Sequence, residues 1–284
     1  MKKLSIIIPA YNESQTIAPL ISDILEIYPD AEIIVVDDAS SDTTGEIAEN
    51  AGATVIKHPY NIGNGAALKS GTRMASGEII VYMDADGQHS AKDIHKLLNY
   101  LPEYDMVVGE RKDRFSSFWI RSIGNSFYNA LASYVSGFPV KDLTSGFRAV
   151  KKEIAKKYLY LLPNTYSSPT TLTLSVLKSG RRLVYVPIAT EKRQSGKSQI
   201  RIIKDGIGFL MIILKICTLY SPLKIFFPLS VLIFSTGLFW YAHTYLVQGR
   251  FTNMGALLFS TSVIVFLMGL ISEQICQMRF EKSE

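Results

Sequence analysis

Cysteine is nearly missing from this 284-residue chain: there are two, Cys217 and Cys276, both in apolar stretches near the C-terminus. No disulfide framework, zinc knuckle or Cys-x-x-Cys redox pair can be built from them. Histidine is scarce as well, with four scattered side chains, which excludes a histidine-rich metal centre. Charged residues make up only 19% and hydrophobic ones 48%, with a mean hydropathy of +0.16. That composition excludes a disordered chain and is rather apolar for a soluble enzyme. Internal repeats and low-complexity segments are lacking. The opening MKKLSIIIPA sets two lysines before an apolar run, but the run stops after about five residues at Pro9 and no small-residue cleavage site follows. It reads as a buried strand, being shorter than a signal-peptide core of roughly 7–15 residues.

The net charge of +5 hides a division, for residues 1–105 hold 16 acidic and 7 basic side chains while residues 106–284 hold 9 acidic and 23 basic ones. An acidic front suits a metal-bearing site and a basic rear suits an anionic partner. Nucleic acid is disfavoured as that partner, because the basic residues lead into apolar spans and form no solvated recognition helix. Those spans, Ile225–Leu246 and Met254–Ser272, run for about 22 and 19 residues, close to the roughly 20 that cross a bilayer. Before them, 200–222 reads as an amphipathic juxtamembrane helix with Arg201, Lys204 and Lys215, suited to the membrane interface. Lysine and arginine crowd the approach and the tail, while the connecting loop has only Arg250. The positive-inside rule then predicts both termini in the cytoplasm and a membrane hairpin within 223–284. Two spans make a modest anchor, which favours a homo-oligomer sharing a membrane bundle. The alternative is a pair of buried helices in a soluble protein.

Residues 1–199 alternate strand and helix. Leu4–Ile8, Ile33–Val36, Thr54–Ile56, Ile79–Met83 and Met106–Val108 are apolar runs that predict strands. Between them, Ile17, Leu20, Ile21, Ile24 and Leu25 recur at helical spacing, and further helices are predicted around Ile47–Ala48, over Asn64–Ser76 and along Ile94–Leu101. This alternation implies an α/β domain whose mostly parallel sheet is covered by helices on both faces. From about residue 110 to 204 the pattern is less regular. Ligands of such sheets sit beyond the carboxyl ends of the strands, and Pro9-Ala-Tyr-Asn-Glu, Asp37-Asp38 and Asp84-Ala-Asp86 all fall there.

Asp84 and Asp86 can splay toward one hard cation that keeps waters and binds diphosphate oxygens; acidic residues at strand ends also serve as caps and turns. Gln88 can add a neutral oxygen to the same ion, whereas His89 reads as a polar loop residue. Asp37 and Asp38 can accept hydrogen bonds from a base N–H or a ribose hydroxyl, or join a cap cluster in which Ser40, Ser41, Asp42 or Thr43 starts the next helix. Asn61-Ile-Gly63-Asn-Gly65 lacks the third glycine of a dinucleotide loop and follows the third strand, which excludes a Rossmann site. Its glycines either let backbone approach a ligand or form a turn.

In order and spacing, SIIIPAYNE, IIVVDDASSDTT, NIGNGAALKSG, MDADGQH, DLTSGFRA and RQSGKS resemble the family-2 glycosyltransferases, and among them the polyprenyl-phosphate hexosyltransferases of the dolichyl-phosphate mannose synthase type. The likeness covers about residues 4–204. It implies a GT-A fold and a metal-dependent enzyme using Mg²⁺ or Mn²⁺. The donor would be a nucleotide-diphosphate sugar, UDP- or GDP-linked, and the acceptor undecaprenyl or dolichyl phosphate, with inversion to a β-linked product. Carried onto this chain, Pro9, Tyr11 and Glu13 match the first nucleotide-contact segment. Asp37 and Asp38 match the acidic pair, Asp38 being the one expected at the base, and Asn61 and Gly63 lie in the glycine loop. Asp84, Ala85 and Asp86, with Gln88, match the metal and diphosphate motif. Arg111, Arg121 and Arg148 match arginines at the reacting centre, and Arg193, Lys197 and Ser198 a basic loop at the acceptor phosphate. Asn125 stands where relatives often carry a serine.

The chemistry points the same way. A phosphate monoester has a second pKa near 6, so the acceptor is already charged at pH 7 and needs no strong general base. What it needs is a cationic clamp, for which arginine offers bidentate geometry. The metal would stabilise the leaving nucleoside diphosphate. Asp142 is read as an orienting residue or a turn in preference to a base for a hydroxyl acceptor. Phe115, Phe118, Trp119, Phe127 and Tyr128 form either an interfacial helix that admits lipid or part of the core. A processive polysaccharide synthase is disfavoured, since no Gln-x-x-Arg-Trp motif occurs. The rival readings are a transferase using a sugar or lipid hydroxyl and a non-catalytic nucleotide-sugar-binding scaffold.

Overall fold

The computed structural model describes residues 3–111, 119–164, 167–189, 218 and 221–281. It divides into two compact units, Met1–Arg201 and Ile202–Glu284. The expected juxtamembrane helix lies almost wholly outside the described residues, as do Arg193, Lys197 and Ser198.

The first unit alternates β1 (Leu4–Ala10), α1 (Ile17–Ile27), β2 (Glu32–Asp37), α2 (Thr44–Asn50), β3 (Thr54–Lys57), α3 (Asn64–Met74), β4 (Ile79–Tyr82), α4 (Ile94–Leu98) and β5 (Met106–Arg111). All five expected strands are present, their ends shifted by no more than three residues. After them come α5 (Trp119–Ser136), β6 (Arg148–Lys151), α6 (Lys152–Lys157), α7 (Ser168–Lys178) and β7 (Leu183–Ile188). The seven strands form one sheet in the order β3-β2-β1-β4-β6-β5-β7. Pairing is parallel except at β6, which runs antiparallel to β4 and β5.

Both faces are covered, as the continuous apolar strands required. On one, Ile17, Leu20, Ile21 and Ile24 of α1 meet Ile6 and Ile8 of β1 and Ile94 and Leu97 of α4 in one buried cluster. On the other, α3 lies so close to β1 that a Cβ at Gly71 would collide with the Ile7 side chain, so only glycine fits there. The parallel strands end along one edge, and the antiparallel β6 begins at it, with Arg148 in register beside Tyr82 and Val108.

The second unit is a helical hairpin, α8 (Leu223–Gln248) and α9 (Asn253–Glu281). Gly249 ends α8 in the left-handed region at φ 67° and donates its N–H to Tyr245 O. Small residues let the helices approach: Gly269 packs on Phe226 and Gly237 on Leu258, and Ser262 Oγ donates to Ser230 O at 3.1 Å. Glu273 of α9 accepts from the first amide of α8, Leu223 N, at 3.1 Å, where the helix dipole favours an anion. Both helices are long and apolar enough to cross a membrane. Their outer surfaces are bare hydrocarbon, with Phe239 76% and Leu246 84% exposed, as lipid-facing helices require and a soluble core pair does not.

Candidate active site

Three loops at the strand-end edge are laced together before any ligand arrives. Asn12 and Ala39 both take positive φ, 57° and 62°, turning the chain sharply after β1 and β2. Asn12 N donates to Ser40 Oγ at 3.0 Å, Ser41 N returns to Asn12 Oδ1 at 2.8 Å, and Glu13 N donates to Thr44 Oγ1 at 2.9 Å. Of the four cap candidates, Thr43 is the N-cap of α2, without a cap hydrogen bond from its side chain, and Asp42 Oδ1 accepts from Thr44 N at 3.0 Å. Pro9 is held within β1 opposite Val36, Glu13 is buried, and Tyr11 is left 45% exposed at the edge.

Asp37 and Asp38 are buried and partly committed. Asp37 Oδ1 accepts from Ser40 N at 2.8 Å, and its Oδ2 occupies the space a Cβ on Gly45 would need. Asp38 accepts from Ile62 N at 2.9 Å, Gly63 N at 2.8 Å and His58 Nδ1 at 2.6 Å, while His58 Nε2 meets Ser70 Oγ at 2.9 Å. A carboxylate has about four acceptor positions, so Asp38 can hold the Asn61–Gly63 loop and still take one further donor. Gly63, at φ 115°, ends that loop and opens α3.

The Asp84–His89 segment follows β4. Asp84 packs so tightly against Gly146 that any Cβ there would strike its Oδ2, so the glycine shapes a cradle for the carboxylate. Ala85 is buried, and Asp86 Oδ1 accepts from Gln88 N at 3.1 Å, closing the turn. His89 is not a loop decoration: it is 6% exposed, stacks on Phe147 with ring centroids 4.8 Å apart, and leaves Nδ1 buried without a hydrogen-bond partner. Burial, opposed by the Asp86 charge and reinforced by Arg111, lowers its pKa to about 4, so the ring is neutral at pH 7.

Across from these carboxylates stands Arg111, the last residue of β5. Asp142 grips it as a fork, Nε to Oδ2 and Nη2 to Oδ1 both at 2.8 Å, and Nη2 also donates to Thr144 Oγ1 at 2.8 Å. Burial alone would lower the guanidinium pKa; the Asp142 hydrogen bonds and charge, with Asp84 and Asp86 behind them, reverse that and raise it. Asp142 thus holds the Arg111 guanidinium in one orientation. Asp142, Thr144 and Gly146 all lie within the DLTSGFRA motif, but of the three only Asp142 was singled out from the sequence.

Arg148 corrects the expectation of a catalytic side chain. It is 1% exposed and lies beneath the edge: Nη1 donates to Pro169 O at 2.7 Å and Thr173 Oγ1 at 3.1 Å, and Nη2 to Ser145 O. Burial brings its pKa down to about 10, resisted by Tyr185, Asp142, Tyr82 and Asp84, so it stays charged at pH 7. It supports the 145–147 turn instead of meeting solvent. Arg121 and Asn125 lie on α5, and Tyr128 of the aromatic stretch is core.

Among the described residues no three His, Cys, Asp or Glu side chains form a self-sufficient metal cage. Asp84 in its glycine cradle and Asp86, which closes the turn with Gln88 N, instead offer two carboxylates in the segment after β4. That fits a hard cation whose other ligands are diphosphate oxygens and water.

Comparison with known proteins agrees with this architecture. Residues 5–159 match the pattern of Glycosyl transferase family 2, and residues 221–278 match the GtrB C-terminal hairpin. An undecaprenyl-phosphate 4-deoxy-4-formamido-L-arabinose transferase of Proteus mirabilis is 26% identical over 97% of this chain and 89% of its own. A polyprenol monophosphomannose synthase of Mycolicibacterium smegmatis is 27% identical over 69% of this chain and 80% of its own. Among solved structures, glucosyl-3-phosphoglycerate synthase of Mycobacterium tuberculosis, crystallised with Mn²⁺, UDP-glucose and phosphoglyceric acid, superposes with a TM-score of 0.62 at 20% identity, covering 76% of this chain and 80% of that one. A sheet ending in paired carboxylates, an arginine held opposite them and an appended apolar hairpin thus coincide with a sequence match over more than half the chain: this protein belongs to glycosyl transferase family 2.

Proposed function

We propose that this glycosyltransferase moves one hexose from a UDP- or GDP-sugar to a polyprenyl phosphate at the cytoplasmic membrane face, with inversion, giving a polyprenyl-phosphate sugar. The observation that carries the reading is the Arg111–Asp142 fork. A hydroxyl acceptor needs a base to take its proton, yet Asp142, the carboxylate considered for that task, is 3% exposed and has both oxygens on Arg111. An ionised phosphate needs no base and is drawn to a guanidinium. The relatives' names for polyprenyl phosphate acceptors and the matched hairpin support a lipid substrate.

On this reading Asp84, Asp86 and Gln88 hold Mg²⁺ or Mn²⁺, which when bound offsets charge on the departing diphosphate. Tyr11, Glu13, Asp37, Asp38 and the Asn61–Gly63 loop take the nucleoside. Arg111, with Arg121 and the Arg193–Ser198 loop, takes the acceptor phosphate. The test uses purified full-length protein in detergent with Mg²⁺ or Mn²⁺, undecaprenyl or dolichyl phosphate and a panel of UDP- and GDP-sugars. Mass spectrometry should show the lipid gaining one hexose with one class of donor. Donor hydrolysis with no gain in lipid mass would favour the hydroxyl-acceptor reading.

The Gly146 cradle gives a sharper expectation. Gly146→Ala forces the Asp84 carboxylate to move, and a displacement of about 1 Å at a reacting centre costs up to roughly a hundredfold in rate. Steady-state kinetics should show kcat falling about tenfold to a hundredfold, with little change in the thermal unfolding midpoint.

A further inference from the structure

We infer that Asn129 is a positioning residue that couples helix α5 to the Arg111 fork and thereby sets the acceptor side of the site; the inference rests on the proposed role of Arg111. Asn129 is 9% exposed on α5. Its Nδ2 donates to Lys141 O at 2.7 Å and its Oδ1 accepts from Leu143 N at 3.2 Å, so one side-chain amide brackets Asp142 on both sides. One turn further along α5, Ser133 Oγ accepts from Val140 N at 2.9 Å and donates to Asn129 O at 2.7 Å. Backbone 140–143 is thus pinned along one face of the helix at i, i+4 spacing.

The consequence falls on Arg111. Asp142 accepts from Nε and Nη2 simultaneously at 2.8 Å, an arrangement that tolerates little displacement of the carboxylate. Only a side chain with a donor and an acceptor on one rigid plane can serve a carbonyl and an amide two residues apart, which is what asparagine supplies. Arg121 lies eight positions before Asn129 on the same helix, about two turns away. A shift of α5 therefore carries Arg121 directly, and Arg111 through Asn129 and Asp142, so the two candidate phosphate contacts move together.

The test is a double-mutant cycle with Asn129→Leu and Asp142→Asn in the full-length protein. In wild-type background, Asn129→Leu should raise the KM for polyprenyl phosphate about tenfold while the donor KM moves less than about twofold. In the Asp142→Asn background the same substitution should change acceptor kinetics less than about twofold, because the group it positions is already disabled. Equal rises in both KM values, or effects that multiply, would overturn the inference. Should Asn129→Leu fail to fold, the isosteric Asn129→Asp, which keeps an acceptor for Leu143 N, should show the same acceptor-specific loss; wild-type kinetics there would also overturn it. The cycle is read in denaturant stability as well, where non-additivity is expected whatever the substrate. If the wild-type enzyme itself leaves polyprenyl phosphate unmodified, the functional reading fails, and additive destabilisation would separately remove the coupling.

Discussion

Asp86→Ala should reduce sugar transfer about a thousandfold or more, a loss of roughly 4 kcal/mol of transition-state stabilisation, while the protein keeps its fold. The carboxylate lies at the strand-end edge, where its charge is felt by both Arg111 and His89. The hydrogen bond it accepts from Gln88 N closes a local turn, so its removal disturbs chemistry more than packing. Asp86→Asn sharpens the test. It keeps an oxygen for Gln88 N but removes the charge that a hard cation and diphosphate require, so it should lose nearly as much activity as alanine. Initial rates under saturating Mn²⁺, with thermal midpoints alongside, give the comparison. A variant retaining a tenth of wild-type transfer would remove Asp86 from the reacting centre. A variant without transfer that kept its cellular role would point to the scaffold reading.

Arg148→Met should do the reverse, acting first on stability. Replacing a buried ion by an apolar side chain can be neutral when the whole polar cluster is replaced with it, but here its partners remain. Ser145 O and Thr173 Oγ1 would lose the donor that Arg148 provides, Pro169 O would keep the Thr173 hydroxyl, and Asp84 and Asp142 would lose a nearby cation. At about 1–3 kcal/mol for each buried group left unpaired, the loss comes to roughly 3–5 kcal/mol. In a unit of this size that lowers the unfolding midpoint by about 6–20 °C. Arg148→Lys keeps the charge but not the fork that serves α7 and the 145–147 turn together, so it should fall between. Scanning fluorimetry of the full-length variants in one detergent checks this. An unchanged midpoint with collapsed kcat would return Arg148 to the catalytic role expected of it.

These contrasting expectations for two residues drawn from conspicuous motifs show where sequence stops. The leading strands were legible because each is a short apolar run, and all but the partly exposed edge strand β3 are largely buried, a pattern set by local composition. The Asp84–Asp86 pair was legible because its spacing and its place after a strand are properties of the chain itself. The hairpin was legible because some 20 consecutive apolar residues have few other uses. β6, only four residues with two charged side chains, is too short and polar to announce itself, and its antiparallel insertion fixes where Arg148 points.

Sequence by itself determined the α/β alternation, the acidic strand ends, the basic excess after residue 105 and the membrane-length helices, since each follows from composition and periodicity within one segment. Tertiary structure alone decided which charges do what. Asp142 and Arg111 are 31 residues apart in the chain yet form one fork. His89 is buried against Phe147, which the segment just before β6 brings beside it, and Arg148 is held by Pro169 O and Thr173 Oγ1 of α7 and by Ser145 O. The physical reason is that an ionisable group's role is set by what surrounds it: burial, opposing charge and hydrogen-bond partners come from segments that only the folded chain brings together.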